Sequence, residues 1–461
     1  MDTVLYYITY GILIYFSILW VGYIVFLLAS FRPIIKKYKE AEFNTIFSTF
    51  KLNSLLPITV IIPAYNEAKR IVNAVTSVLN SDYKNIHLVI VNDGSKDSTL
   101  PLLIEEYHLK KIPPAFKQKI KTGQVHTYYQ STTVLNLIVV DKEHSPYANS
   151  AADSINAGLN VCRTPVYVTV DADTILEPAA LTRMLFIYLT NPHCVAVGGD
   201  IYVPDVTKIQ EGKLLETTIP SSPLLGVQVC EYLRSFLYGR EGWAFLGGAL
   251  CHSGAFTLLE TQAVRDAGGC DSSNFSYDAE IIMKLHHTMR KNNYPYSVVY
   301  APSAIAWSEV PNTLKGFWKQ RCNWQRGLLR SFSQHKTMVF NPRYGLTGLV
   351  AWPYYLMFEI FGPSVEAISY LTVILVFCFS TISLPFLLWL LFLGWGYIML
   401  ITMSCVVLSM ITYNKYYRKM DIMRIFVLTI VDTLFYRQYR AFCSLFSAIY
   451  YVINRLRGKP Q

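Results

Sequence analysis

The feature that most constrains this chain is a long apolar segment at its amino end. No Asp, Glu, Lys, Arg or His occurs from Thr3 to Phe31, and about 20 such residues suffice to cross a bilayer as a helix. Basic residues, which accumulate on the cytoplasmic side of membranes, follow at once: Arg32, Lys36, Lys37 and Lys39. A cleaved signal peptide is the alternative, but its basic residues would precede a shorter apolar core. We therefore predict a transmembrane anchor over residues 1–35 whose carboxyl end is cytoplasmic.

A second apolar region lies toward the carboxyl end. Between Ala367 and Thr412 there is again no charged residue or His, and the break at Ser383-Leu384-Pro385 predicts a helical hairpin. Basic residues beyond it place its far end in the cytoplasm: Lys415, Arg418, Lys419 and Arg424. Two shorter apolar stretches, residues 425–435 and 441–453, leave re-entrant helices, interfacial helices and one broken pair open. We assign residues 345–461 to a C-terminal membrane region.

The composition agrees with a membrane protein. A mean hydropathy of +0.29 with only 16% charged residues excludes an ordinary soluble enzyme. The net charge of +10 is concentrated beside the apolar segments, so we expect membrane lipids as partners and no nucleic acid. The cysteines include no C-x-x-C pair and their number, nine, is odd, which predicts a reducing environment without a disulfide framework.

Residues 50–335, between the two apolar regions, alternate short β-branched runs with helical patterns. The predicted strands are residues 59–62, 86–91, 135–140, 166–170 and 194–197. After the first strand, apolar residues recur at helical spacing: Ile71, Val75, Val78 and Leu79. This alternation predicts an α/β domain built on a parallel sheet, with its ligand crevice at the carboxyl ends of the strands.

Polar residues follow several of these strands. Tyr65 and Glu67 come after the first strand, and Asp93 follows the second. Asp93 and Asp97 could instead shape a turn and cap the next helix. Asp171 and Asp173 follow the fourth strand two residues apart, so both side chains point to one side. Two carboxylates completed by phosphate oxygens suit Mg²⁺ or Mn²⁺.

Two further segments carry chemistry. Asp278 precedes a helical pattern, where an acid is stabilised by the helix dipole. It could equally be a general base that takes a proton from an acceptor hydroxyl during an inverting displacement. A basic aromatic segment follows, whose rings and donors suit either sugars and phosphates or an interfacial helix: Trp318, Gln320, Arg321, Trp324, Gln325 and Arg326.

Taken in order, these motifs resemble the processive family 2 membrane glycosyltransferases, a group that includes cellulose, hyaluronan and poly-N-acetylglucosamine synthases. The matching segments run from Pro57 to Leu328: Ile62-Pro63-Ala64-Tyr65-Asn66-Glu67, Asn92-Asp93-Gly94-Ser95, Asp171-Ala172-Asp173, Ser253-Gly254-Ala255-Phe256, Asp278 and Gln320-Arg321-Cys322-Asn323-Trp324. The resemblance implies a cytoplasmic GT-A-type (nucleotide-diphospho-sugar transferase) domain with flanking transmembrane helices, in a multi-pass protein of the inner membrane.

The resemblance also implies roles for individual residues. It places Tyr65, Glu67, Asp93 and Asp171 at the donor, Asp171 and Asp173 at Mg²⁺ or Mn²⁺, Asp278 as catalytic base, and Ser253, Gly254, Gln320, Arg321 and Trp324 at the acceptor. The implied reaction moves a sugar from a UDP-sugar to a growing glycan at the inner face of the membrane, with inversion. The resemblance further implies a processive polysaccharide synthase that works with accessory export subunits.

Three departures from the family pattern keep two alternatives open. Tyr277 stands where members usually have Glu, Asn323 where they have Arg, and Asn149-Ser150-Ala151 where a Gly-Gly-Lys loop is expected. The last two changes remove positive charges from a site that handles anions. The alternatives are nonprocessive transfer to a lipid-linked acceptor and a catalytically inactive membrane homologue that acts as a scaffold.

Overall fold

The structure is a computed structural model and describes residues 2–52, 56–114, 116–145, 150–379, 385, 392–413 and 418–457. Within these residues the strands are β1 (Ile58–Ala64), β2 (Ile86–Asp93), β3 (Leu109–Ile112), β4 (Val125–Ser131), β5 (Leu137–Lys142), β6 (Val166–Val170), β7 (Thr174–Leu176), β8 (Cys194–Tyr202), β9 (Ile209–Gln210), β10 (Lys213–Leu214), β11 (Phe256–Glu260) and β12 (Ser297–Ser308).

The α-helices of the same residues are α1 (Asp2–Leu52), α2 (Ile71–Leu79), α3 (Thr99–Glu106), α4 (Ser150–Val161), α5 (Ala180–Thr190), α6 (Pro223–Tyr232), α7 (Glu241–Phe245), α8 (Thr261–Asp266), α9 (Tyr277–Lys291), α10 (Leu314–Gln334), α11 (Trp352–Tyr354), α12 (Gly362–Phe379), α13 (Tyr397–Tyr413), α14 (Lys419–Val431) and α15 (Arg437–Leu456). Shorter 3₁₀ turns are Val206–Lys208, Lys336–Met338 and Pro342–Tyr344, and π-helical segments are Leu233–Arg240, Thr347–Ala351, Tyr355–Ile360, Phe392–Gly396 and Asp432–Tyr436.

The main sheet is mixed. Its ten strands lie in the order β3-β4-β5-β2-β1-β6-β11-β8-β12-β7. The central strands β5, β2, β1 and β6 are mutually parallel, whereas β4, β11 and β7 run antiparallel to their neighbours. The prediction of a parallel sheet is therefore right for the centre and wrong for the flanks. The central strands are the β-branched, doubly buried runs that sequence periodicity detects best.

The five strands predicted from sequence are all present, most of them longer than expected. The fifth extends to Tyr202, and the third is shifted, because it begins at Leu137 rather than Leu135. Leu135 is 87% exposed, and Asn136 adopts a positive φ of 62° that turns the chain into the strand. The same strand continues through Asp141 and Lys142, which brings two charged residues to its carboxyl end.

Helices cover both faces of the central strands. Val60 of β1 lies in an apolar cluster with Ile71 and Val75 of α2. The next residue, Ile61, lies in a second cluster with Ile155 of α4. Full burial of such a side chain stabilises the fold by about 1.5–3 kcal/mol. The two clusters fix β1 between α2 and α4, so the carboxyl ends of the parallel strands emerge at one fixed edge.

The N-terminal helix α1 contains the segment Tyr7–Lys36, which is long and apolar enough to cross a membrane. Phe26 of this helix packs on Trp243, with ring centroids 4.5 Å apart, and on Tyr354 at 5.2 Å. Within the described residues, a second span exists only if Thr347–Ile360 and Gly362–Leu375, bent by 41° relative to each other, form one. The multi-pass topology and the boundaries of the three predicted regions stay predictions.

The C-terminal helices include the two short apolar stretches for which the sequence left three arrangements open. The break at Ser383 and Leu384, which defined the predicted hairpin, lies outside the described residues. The stretches 425–435 and 441–453 belong to consecutive helical segments, from α14 through the π-helical turn Asp432–Tyr436 into α15. Arg437 and Arg440 lie within this helical run and form ion pairs with Glu366 and Glu231. These arginines thus connect helices and do not mark a loop.

Candidate active site

The carboxyl ends of the four parallel strands place polar side chains along one rim. The residues there are Tyr65 after β1, Asp93 at the end of β2, Lys142 at the end of β5, and Asp171 and Asp173 after β6. This is the edge at which open α/β sheets bind ligands.

The turn after β1 is tied to the loop after β2. Asn66 adopts a positive φ of 57°, and its side-chain oxygen accepts hydrogen bonds from the backbone N–H of Lys96 at 2.8 Å and of Asp97 at 3.3 Å. Asp97 in turn accepts from the N–H groups of Ala68 and Thr99. Asp97 thus shapes the turn and the start of α3, which is the role that the sequence offered as an alternative to ligand binding.

Asp93 has a different role from Asp97. Its buried carboxylate accepts from the ammonium of Lys142, which also contacts Asp153 of α4 at 2.8 Å. The Lys142 side chain is 0% exposed. Sequence reasoning missed this lysine, although it ends a parallel strand and therefore lies on the rim by the same rule that selected Asp93.

His144 covers the ring of Tyr65. The two rings stack with centroids 4.1 Å apart and planes inclined by 18°. The Nδ1 atom of His144 lies 2.6 Å from Oδ2 of Asp93, and because a carboxylate only accepts, this nitrogen carries the hydrogen. Gly94, at φ 64°, permits the approach, since a Cβ there would lie 2.7 Å from the backbone nitrogen of His144.

Asp171 and Asp173 lie where β6 ends. The backbone N–H of Asp171 donates to Ala255 at 3.4 Å, and the hydroxyl of Ser308 donates to Asp173 at 3.4 Å. Burial and, to a smaller extent, the charge of Asp171 together raise the pKa of Asp173 to about 8. Burial and, to a smaller extent, the charge of Asp278 together raise the pKa of Asp171 to about 7. The negative charges of these carboxylates repel one another.

The donor set suits a divalent cation bound together with a substrate. Within the described residues, no group of three His, Cys, Asp or Glu side chains could hold a metal alone. Mg²⁺ commonly takes one or two carboxylates from the protein and completes its octahedron with phosphate oxygens and water. Asp171 and Asp173 fit this pattern, because a cation would relieve the repulsion that raises their pKa values.

Asp278 lies in the first turn of α9. One carboxylate oxygen accepts from the N–H of Gly254 at 3.2 Å and the other from the N–H of Ala279 at 2.9 Å. Burial raises its pKa, whereas the charge of Arg240 and the backbone N–H groups lower it. A Cβ at Gly254 would lie 2.6 Å from the hydroxyl of Tyr277, so only glycine fits there.

The cleft beside Asp278 is lined in part by Ser253, Gly254, Tyr277 and Thr169 of β6. Tyr277, which stands where the family usually has Glu, is thus a wall of this cleft. The three aspartates border one region, because Ala255 bonds to Asp171 and the adjacent Gly254 bonds to Asp278.

Glu67 belongs to an ion pair network at the same rim. Arg70 contacts Glu67 at 3.1 Å and Glu309, just after β12, at 2.8 Å. This link connects the turn after β1 with the far side of the sheet. Burial raises the pKa of Glu67, and its bond to Arg70 opposes that change. Glu309 and Arg70 were not predicted as site residues.

Helix α10 carries the predicted acceptor residues. Trp324 is 41% exposed, and the guanidinium of Arg321 lies 4.1 Å from its ring centroid. Arg321 also forms an ion pair with Glu231 of α6 at 2.7 Å. Glu231 is shared, because Arg440 of α15 contacts it at 2.9 Å. Arg321 thus supports the Trp324 ring and joins α10 to α6.

Three positions remain: Gln320, a predicted acceptor residue, and Asn323 and Asn149, at which the sequence departs from the family pattern. Within the described part of the chain, the side-chain oxygen of Gln320 is buried without a hydrogen-bond partner. Asn323 accepts from Arg326 at 2.6 Å. Asn149, in the expected place of the Gly-Gly-Lys loop, lies outside the described residues. A cation nevertheless lies on the rim, since Lys142 contacts Asp93.

Comparison with known proteins identifies the family. The sequence profile described as "Glycosyltransferase like family 2" matches residues 57–327. This chain belongs to glycosyltransferase family 2. The family profile covers nearly the same residues as the motifs found in the sequence, from Pro57 to Leu328, and confirms the resemblance.

Two staphylococcal proteins are similar to this chain in sequence. A poly-beta-1,6-N-acetyl-D-glucosamine synthase of Staphylococcus epidermidis is 25% identical over 364 residues, which cover 76% of this chain and 76% of the relative. The enzyme of the same name from Staphylococcus aureus (strain COL) is 28% identical over 295 residues, 63% of this chain and 60% of the relative.

A solved structure shares the fold. A mannosyltransferase from Pyrobaculum calidifontis, in complex with GDP-Man and Mn²⁺, superposes with a TM-score of 0.50 at 16% identity, and the match covers 89% of this chain and 99% of the other. The likeness supports a GT-A-type fold with a mixed sheet for the catalytic domain.

Proposed function

We propose that this protein is an inverting, metal-dependent glycosyltransferase that moves a sugar from a UDP-sugar to a growing glycan at the inner face of the membrane. The observation that carries the proposal is that adjacent residues bond to two of the three aspartates, Ala255 to Asp171 and Gly254 to Asp278. The candidate base thus lies close to Asp171, one of the two candidate cation ligands.

On the donor side, Tyr65 stacks on the nucleobase and Asp93 accepts a hydrogen bond from it. Glu67 holds the turn after β1 in place through its ion pair with Arg70. Asp171 and Asp173 would hold the cation. Mg²⁺ or Mn²⁺, when bound, supplies positive charge that stabilises the departing diphosphate. The anomeric carbon then faces the cleft beside Asp278.

On the acceptor side, Asp278 acts as general base. Its carboxylate takes the proton of the acceptor hydroxyl while that oxygen forms a bond to the anomeric carbon and the bond to the diphosphate breaks. Attack from the side opposite the leaving group inverts the anomeric centre. The N–H groups of Gly254 and Ala279 orient the carboxylate, and Arg240 favours its charged form.

The acceptor glycan lies along Ser253, Gly254, Gln320, Arg321 and Trp324 in this proposal. The exposed part of the Trp324 ring offers a face on which a sugar can stack, and Arg321 holds that ring in place. The side-chain oxygen of Gln320, buried without a partner in the described structure, is available to a sugar hydroxyl.

The membrane location rests on two observations. Helix α1 contains an apolar segment long enough to cross a bilayer, and α14 exposes Met420, Met423, Phe426 and Val427. Such faces need lipid or another protein to cover them. We propose a multi-pass inner-membrane protein with residues 1–35 as anchor, 50–335 as cytoplasmic catalytic domain and 345–461 as membrane region, assisted by accessory export subunits.

The staphylococcal relatives are named poly-beta-1,6-N-acetyl-D-glucosamine synthases, which favours a processive polymerase that transfers N-acetylglucosamine. A specific observation also favours nonprocessive transfer to a lipid-linked acceptor. Asn323, in the usual place of an Arg, pairs with Arg326 and brings no charge to the acceptor helix. The size of the product distinguishes the two functions.

The experiment supplies membranes containing the full chain with radiolabelled UDP-N-acetylglucosamine or UDP-glucose and Mn²⁺. Long products support the polymerase, whereas short products that extract into organic solvent support lipid-linked transfer. The matched pair of variants is Asp278→Asn and Asp266→Asn, since Asp266 is exposed and its carboxylate accepts a hydrogen bond from Gln262 of the same helix. A cellular glycan that persists with Asp278→Asn but is lost on deletion of the chain would instead identify a scaffold.

A further inference from the structure

We infer that His144 occupies the nucleobase slot when no donor is bound, and that an incoming base must displace it. The inference rests on the proposed function, since it places the donor base on Tyr65 and Asp93. His144 then lowers donor affinity, because it competes with the donor base for the slot. In the donor complex His144 lies outside the slot.

The first support is the shape of the contact. The slot consists of an aromatic face, Tyr65, and a carboxylate at its edge, Asp93. The imidazole of His144 lies flat on that face, 4.1 Å away at 18°, and directs its ring N–H to the carboxylate at 2.6 Å. Uracil and guanine likewise present a flat heterocycle with a ring N–H, so the imidazole satisfies the same two contacts.

The second support is the number of acceptor positions on Asp93. One oxygen takes the ammonium of Lys142 and the N–H of Ser145 at 3.4 Å. The other oxygen takes Nδ1 of His144. A base that is to bond with Asp93 therefore meets a carboxylate whose oxygens both already have partners.

The third support is the difference in burial among these partners. The side chain of Lys142 is 0% exposed, whereas that of His144 is 41% exposed. Moving Lys142 would leave Asp93 and Asp153 as uncompensated buried charges. Moving His144 transfers a polar ring from a surface contact into water. His144 is thus the partner that yields to the base.

The slot also selects among bases. Lys142 balances the charge of Asp93, and an ionised carboxylate only accepts hydrogen bonds. Uracil and guanine present a ring N–H to it, whereas cytosine and adenine present an acceptor nitrogen at the equivalent edge. Cytosine and adenine can donate to the carboxylate only through their exocyclic amino groups, so we expect UDP and GDP to displace His144 more readily than CDP or ADP.

The test measures binding of UDP to the purified full chain by calorimetry. His144→Ala should bind UDP about threefold to tenfold more tightly than the wild type, the range that corresponds to the loss of one aromatic contact. The KM for the UDP-sugar should fall by a similar factor at an unchanged kcat. His126→Ala, an exposed histidine on β4, is the matched control and should leave UDP affinity unchanged.

A double-mutant cycle separates stacking from other effects. Tyr65→Ala should weaken UDP binding, and the gain from His144→Ala should shrink in that background, because the two rings stack on each other. Unchanged or weaker UDP binding by His144→Ala would overturn the inference while leaving the proposed function intact. A wild type that binds neither UDP nor GDP and transfers no sugar would overturn both.

Discussion

Replacement of Lys142 by Met should destabilise the catalytic domain strongly. The ammonium is 0% exposed and lies between the carboxylates of Asp93 and Asp153, which are 2% and 1% exposed. Met preserves the length of the side chain and removes only its charge, so two buried carboxylates lose their counterion. Removing one partner of a buried ion pair typically destabilises a protein by about 3–5 kcal/mol, because the remaining charge stays buried.

This free energy converts into a measurable shift. For a domain of about 150–250 residues, each kcal/mol lowers the melting temperature by about 2–4 °C, so Lys142→Met should lower it by about 6–20 °C. Tryptophan fluorescence of the full chain in detergent reports the transition. The control is Lys111→Met, at an exposed position on β3 of the same sheet, which should shift the melting temperature by about 2 °C or less.

Two additional substitutions show whether charge is the cause. Adding Asp93→Asn and Asp153→Asn to Lys142→Met should recover part of the lost stability, because no unpaired charge then remains buried. A Lys142→Met protein that melts within about 2 °C of the wild type would refute the reasoning, and so would a triple variant that is less stable than the single one.

The remaining predictions concern catalysis. Asp278→Asn should lower kcat by about 10²–10⁴-fold while UDP affinity measured by calorimetry stays unchanged, because a general base contributes about that factor; comparable loss in Asp266→Asn would contradict this role. Burial raises the pKa of Asp278, so the loss of kcat/KM on acidification should begin at a higher pH than the ordinary pKa of an aspartate would give. Arg240→Gln should move that acid limb to higher pH, because the charge of Arg240 lowers the pKa of Asp278; a pH profile shows whether it does. Removal of divalent cations with EDTA should abolish transfer and added Mn²⁺ should restore it, whereas Asp173→Asn should need more Mn²⁺ for the same rate.

Much of the central fold could be predicted from the sequence, because its strands bury β-branched side chains on both faces. The run Val166–Val170 matches its predicted bounds, and α9 begins at Tyr277, just before the predicted base. The antiparallel flanks were missed. Strands such as β3, with the sequence Leu-Lys-Lys-Ile, are short and half exposed, so their periodicity is weak.

The sequence identified the acidic residues of the candidate site better than its basic residues. Asp171 and Asp173 follow a strand whose end is visible in the sequence, and Asp278 lies at the start of a helix whose periodicity is equally visible. The pairing of Lys142 with Asp93 depends on the parallel register of β5 beside β2, which periodicity does not specify. Likewise, nothing local to Arg321 indicates that it pairs with Glu231, which lies on a helix distant in sequence.

The shared carboxylate of Glu231 has a consequence for how the protein is made. Ribosomes synthesise Glu231 and Arg321 long before Arg440, yet all three meet in the finished molecule. Until α15 emerges and docks, the helix that carries Trp324 lacks part of its ionic support. The full set of ion pairs between α10, α6 and α15 therefore forms only after Arg440 has been synthesised and α15 has packed against Glu231.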